Sequence, residues 1–135
     1  MASFGFTAAA SHPDNLMPVL PLRISIGPRS AQVSGMIDSA STINVLPYSL
    51  GLALDAAWED QKVLGNLTGA LSRVEIRGLA VTASSPEIAG AQDVPLLFAW
   101  ANSDNVPVLF GQFNFLMEFN VCLYRSQGFF EVWRN

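Results

Sequence analysis

Asp38 stands where an apolar run meets a cluster of small polar residues, in Met36-Ile37-Asp38-Ser39-Ala40-Ser41-Thr42-Ile43-Asn44-Val45-Leu46-Pro47. The apolar lead-in predicts a strand, and the Ser, Thr and Asn that follow predict a loop held by local side-chain hydrogen bonds. A carboxylate delivered from a strand end into such a loop is placed for general acid or general base work on a bound molecule. The same residue types also suit a turn in which the aspartate only accepts backbone hydrogen bonds. His12, the sole histidine, has neither an acid partner nor a ligand cluster near it in sequence, so no proton transfer is assigned to it.

Two later segments bear on which of these Asp38 does. In Lys62-Val63-Leu64-Gly65-Asn66-Leu67-Thr68-Gly69-Ala70-Leu71, apolar residues flank a Gly-Asn-Leu-Thr-Gly tip, a hairpin pattern. Gly65 and Gly69 let its backbone bend, and Leu67 at the tip is placed to close over a bound chain. In Val106-Pro107-Val108-Leu109-Phe110-Gly111-Gln112-Phe113-Asn114-Phe115-Leu116-Met117-Glu118-Phe119-Asn120-Val121, an apolar strand meets a glycine. A short helix-compatible stretch follows, with Phe115, Leu116 and Phe119 on one face.

In this order the three segments resemble the retropepsin-like (retroviral-type) aspartic proteases. The active-site segment reads Asp38-Ser39-Ala40-Ser41, with Ala40 where the family carries Gly; the hairpin resembles the family's flap; Gly111-Gln112 before a Phe-rich helix resembles its bacterial members. The resemblance implies an all-β, mainly β fold, a closed β-barrel or acid-protease half-fold with one short C-terminal helix. It implies that Asp38 is catalytic in a loop of Ser39, Ala40 and Ser41. Gly65, Asn66, Leu67, Thr68 and Gly69 then form a substrate-binding flap, and Gly111 and Gln112 are structural residues near the site.

Peptide hydrolysis without a metal or covalent intermediate needs two carboxylates sharing a proton. None of Asp14, Asp55, Asp60, Asp93 and Asp104 combines the apolar lead-in with the Ser/Thr successor of Asp38. The implication is a homodimer with a twofold axis between two Asp38 side chains. Ser39 would bond across that axis, and the apolar run Gly128 to Trp133 would enter the dimer sheet. The function implied is an aspartic endopeptidase acting on a peptide or protein substrate, with no cofactor and no metal. A catalytically weak or inactive fold of the same kind, used for dimerisation or peptide binding, remains the alternative. Ala40 is its mark, since an added methyl in a packed site costs ~1–3 kcal/mol.

These segments need a scaffold, and the rest of the chain predicts a β-rich one. A length of 135 residues, half of them hydrophobic, fits one domain, drawn here as residues 16–135 preceded by a loose arm over 1–15. A net charge of −4 with only 13% charged residues argues against nucleic acid as a partner, because phosphate binding needs clustered Lys and Arg. No apolar run approaches the ~20 residues of a membrane span, and Ala8-Ala9-Ala10 lacks the flanks of a secretory signal. With a single cysteine, Cys122, no intrachain disulfide forms, which points to a reducing compartment or to indifference to redox state, and with no span or signal the expectation is cytoplasmic; its apolar neighbours predict a core thiol. Val19 to Ile26 reads as a strand broken by Pro21, Gly27-Pro28 as a turn, Gln32 to Ile37 as the strand leading to Asp38, and Tyr48 to Leu52 as a short turn. Trp58 and Trp100 are expected to pack.

Overall fold

Short runs of alternating apolar and polar residues, punctuated by Gly and Pro, fold into strands and little else. The computed structural model describes residues 1–9, 12–67 and 73–135. In chain order its strands are β1 (Ala2–Gly5), β2 (Thr7–Ala9), β3 (His12–Met17), β4 (Val19–Ile26), β5 (Arg29–Ile37) and β6 (Asn44–Leu46), then β7 (Val63–Asn66), β8 (Glu75–Ser84), β9 (Val94–Ala101) and β10 (Leu109–Phe110), and finally β11 (Phe119–Tyr124) and β12 (Phe129–Arg134). Two short helices, α1 (Tyr48–Ala53) and α2 (Phe115–Glu118), interrupt them. None of the described helices is long and apolar enough to cross a membrane.

Strands β4, β5, β10, β6, β9 and β8 pair in that order, and β8 closes the ring by returning to β4 at Arg23–Ser25. The result is a closed six-stranded barrel, as the all-β expectation required. Closure leaves no long free edge in this layer. The two halves of β8 share one side: Glu75–Arg77 pair with β7, and Thr82–Ser84 pair with β4. Leu20, Leu22 and Ile24 alternate inward along β4, while Phe98, Trp100 and Phe110 fill the middle. All six are essentially without solvent exposure, and burial of each such side chain contributes about 1.5–3 kcal/mol.

The barrel carries the site strand on an aromatic column. Phe98, Phe110, Phe115 and Phe119 follow one another at ring-centroid distances of 6.3, 4.8 and 4.8 Å. Phe115 and Phe119 are buried as their spacing predicted. On the opposite flank Trp100 donates its Nε1–H to the Tyr48 carbonyl at 3.1 Å and lies 5.0 Å from the Trp58 ring, so both tryptophans pack. Arg77 covers Trp58 at 4.7 Å, donates to the Trp58 carbonyl at 2.8 Å and pairs with Glu75 at 3.1 Å. It thereby ties the 3₁₀ turn Trp58–Asp60 to the start of β8. Arg77→Gln is expected to lower stability by about 1–2 kcal/mol, read as a lower urea midpoint with an unchanged slope.

Four expectations are corrected. Where a loose arm was expected, Ala2–Gly5 pair with Phe129–Val132, and Phe4 and Phe6 lie 5.5 and 5.9 Å from the Phe130 ring; two Phe spaced by two are enough to give this polar stretch a core face. Pro21 does not break β4, which pairs with β5 along its full length. Proline is tolerated because β8 reaches only Arg23–Ser25 and leaves β4 with one partner strand at Pro21. The predicted turn after Pro47 is the helix α1, Tyr48–Ala53. Cys122 is half-buried, because strand alternation gives the core to Val121 and turns Cys122 to the other face opposite Glu131. There the Cys122 thiol and then the Glu131 carboxylate hold the Tyr124 phenol above its ordinary range.

The C-terminal run does form a strand. β12 lies between β1 and β11 of the same chain, with Phe130 and Val132 fully buried.

Candidate active site

Strand β5 ends at Ile37, and Asp38 is the first residue past it. Its direction is set by local and distant bonds together. The Ala40 N–H donates to Asp38 Oδ1 at 2.9 Å, and the Ser41 N–H donates to the Asp38 carbonyl at 3.1 Å. The Ser41 hydroxyl donates to the Ile43 carbonyl at 2.7 Å. This is the Asx-type turn that Asp and Ser favour, and it presents the half-buried Asp38 carboxylate at the surface of the barrel.

The late segment runs alongside this loop. The Asp38 N–H donates to the Phe110 carbonyl at 3.0 Å, Gln112 N–H to Ser41 O at 2.9 Å, Phe113 N–H to Thr42 O at 2.9 Å, and Asn44 N–H to Phe113 O at 3.2 Å. Gln112 adds a side-chain bond from Nε2 to the Ser39 carbonyl. Gly111 sits so close that a Cβ there would lie 2.7 Å from the Ser41 carbonyl oxygen. Gly111 and Gln112 therefore brace the loop through these contacts.

In front of the loop is a recess of about 380 Å³ lined by Asp38, Ala40, Ser41 and Thr42, by Ile43, Val45, Ile76, Val106, Pro107 and Leu109, and by Asn66 and Leu67. Asp38 is the one charged side chain among these. Val45, Ile76 and Val106 belong to a small apolar cluster of their own, against which Ile43, Leu67 and Leu109 pack. The hairpin residues Asn66 and Leu67 come from β7 and its end, and the Leu67 N–H donates to the Val74 carbonyl at 2.9 Å. Gly65 is exposed at φ +118°, a left-handed value that suits glycine. Thr68 and Gly69, also assigned to the flap by sequence, lie outside the described residues.

Of the site residues read from sequence, Asp38, Ala40, Ser41, Asn66 and Leu67 meet around this recess, whereas Ser39 is held through its carbonyl by Gln112. Ala40 is exposed and is absent from the residues of positive φ. Its backbone thus needs no glycine, and the residue is exposed at the edge of the recess. Ala40→Gly is expected to cost only about 0.4–1 kcal/mol, through the unfolded chain, which a thermal melt would show as a shift of a few degrees.

A second depression, about 590 Å³, opens on the other side of Asp38, between Met36 and Ile37 of β5, Met17 and Pro18, Phe6, Leu123 and Arg125. Asp38 therefore stands on the ridge between two recesses. Sequence reasoning missed the polar pair behind the loop, the buried Asn44 and the half-buried Asn114, because their bond joins residues 70 apart in the chain.

No protein-family model matches the chain, and no curated protein matches it. Solved structures do. EIAV protease complexed with the inhibitor HBY-793 aligns at TM-score 0.58 and 14% identity over 78% of this chain and 90% of that one. A retropepsin-like aspartic protease from Rickettsia conorii aligns at TM-score 0.64 and 8% identity over 98% of both chains. At such identities the likeness is one of fold, and the fold is retropepsin-like.

Proposed function

We propose that the chain is an aspartic endopeptidase that works as a homodimer, with Asp38 from each copy forming the reactive pair. The observation that carries this reading is the position of Asp38 between two recesses, one covered by Asn66 and Leu67 of the hairpin and one open and largely apolar. A peptide lies in the first. The partner copy docks over the second and brings its own carboxylate alongside. One carboxylate then takes a proton from water while the protonated one hydrogen-bonds the scissile carbonyl, and the shared proton is restored when the amine leaves. Ser39 steadies the two loops across the axis, and the β7–β8 hairpin, including Thr68 and Gly69, closes over the substrate and excludes water. The aliphatic lining of the first recess suits uncharged apolar side chains beside the cut bond. A cytoplasmic site of action agrees with the lone, half-buried Cys122.

One feature favours a second reading, a dimerising or peptide-binding module without turnover: Ala40 lines the recess at the position where the family carries glycine. The two readings separate in one experiment, cleavage of a mixed peptide library followed by mass spectrometry between about pH 4 and 7, where shared-proton pairs work. The peptidase cuts between apolar residues, and its specific activity rises with protein concentration as dimer forms. Folded, dimeric protein that binds peptides and leaves them whole establishes the module instead.

A further inference from the structure

Asn44 is the most deeply enclosed polar side chain among the described residues, with no solvent exposure. Its Oδ1 accepts from the Gly111 N–H at 2.8 Å, and its Nδ2 donates to the Leu97 carbonyl at 3.0 Å and to Asn114 Oδ1 at 3.2 Å. Asn114 Oδ1 also accepts from the Leu97 N–H at 3.0 Å, while Asn114 Nδ2 donates to the Pro95 carbonyl at 2.9 Å. Both amide hydrogens of the enclosed Asn44 are placed, as is one from the half-buried Asn114, which makes the bonds at Asn44 strong in a low-dielectric interior and costly to mismatch. Neither amide lines the recesses at Asp38.

We propose that Asn44 is a positioning residue: the buried Asn44 amide, paired with Asn114, fixes Gly111, and through it the loop that aims the Asp38 carboxylate. The chain of contacts is short. Asn44 holds the Gly111 N–H. Gly111 lies against the Ser41 and Ile43 carbonyls. Its neighbours Phe110 and Gln112 take the Asp38 N–H and reach Ser41 O. Two donated hydrogens and one accepted one are needed at this point, which an amide supplies and no aliphatic, hydroxyl or carboxylate side chain does. The catalytic consequence rests on the peptidase reading; the structural consequence does not.

The test uses Asn44→Asp, which keeps the shape and turns both donors into acceptors facing the Leu97 carbonyl and Asn114 Oδ1, and Asn44→Thr, which retains one acceptor and one donor. Amide hydrogen exchange is followed by NMR at Asp38, Ser41, Gly111, Gln112 and Phe113, with the β4–β5 hairpin as internal reference. At neutral pH Asn44→Asp is expected to speed exchange at the loop roughly tenfold to a hundredfold, leaving the hairpin unchanged, with Asn44→Thr intermediate. Loop exchange that stays at the wild-type rate, or that rises equally in the hairpin, overturns the proposal. Should Asn44→Asp not fold, Asn114→Ala is scored by the same rule. In a cleaving protein kcat falls with the loop's exposure while KM stays within about threefold; a rise in KM alone overturns the positioning role. Wild-type protein that cleaves nothing ends the peptidase reading, and the exchange data still decide the role of Asn44.

Discussion

Asp38→Asn is expected to reduce peptide cleavage by roughly a hundredfold to ten-thousandfold or more, since proton transfer by a placed side chain contributes that much and an amide can neither take the proton from water nor share one with a partner carboxylate. The fold should survive. The bond from the Ala40 N–H has an oxygen to accept it in either residue, and the remaining loop contacts run through the backbone of Asp38 to Phe110 and Ser41. The measurement is turnover of the best library peptide by both proteins, with circular dichroism and sedimentation confirming equal folding and assembly. Equal turnover by the two proteins would sink the assignment of Asp38. In a binding module the same substitution leaves peptide affinity nearly unchanged, so the variant also distinguishes the two functional readings.

Gly111→Ala is expected to be the most damaging single methyl in the site. The added carbon would lie 2.7 Å from the Ser41 carbonyl oxygen and 2.7 Å from the Ile43 carbonyl carbon, and closer still to the Ile43 oxygen. All three are backbone atoms of the Asp38 loop, so no side chain can swing aside, and the two segments must separate. Overpacking of this kind costs about 3 kcal/mol or more, which for a domain of this size lowers Tm by roughly 10 °C. The strain also falls on the Gln112–Ser41 and Phe113–Thr42 bonds, so activity should drop further than stability alone accounts for. Gly5→Ala is the control: nothing lies within 4 Å of its added carbon, and a change within about 0.5 kcal/mol is expected. A Gly111→Ala protein that melts with the wild type would show that the loop and the late segment are less tightly apposed than the structure has them.

Much of the site was legible because its signals are local. An apolar strand ending in Asp38, a Gly-bounded hairpin signal at Gly65 to Gly69, and Gly111-Gln112 ahead of Phe115 each declare themselves in the sequence within a dozen residues, through side-chain alternation and turn chemistry. Helical spacing put Phe115 and Phe119 on one apolar face, and both are buried. Local reading failed for Cys122, where two apolar neighbours pointed to burial and the pleat gave the inward position to Val121. It failed again for the N-terminal segment, whose two Phe residues are too sparse to announce a strand until β12 stands beside it.

The sequence by itself determined the type of the elements, the identity of the one well-placed carboxylate and the order of the three segments that surround it. Only the tertiary structure decided what faces what: the barrel closed by β8 on β4, the ridge on which Asp38 separates two recesses, and the Asn44–Asn114 pair behind the loop. The physical reason is the range of the interactions. Turn preference and alternation act between residues a few positions apart and are written in the chain. The bonds that aim Asp38 join residues some 70 positions apart, and nothing at either end marks them until the barrel has brought both ends together.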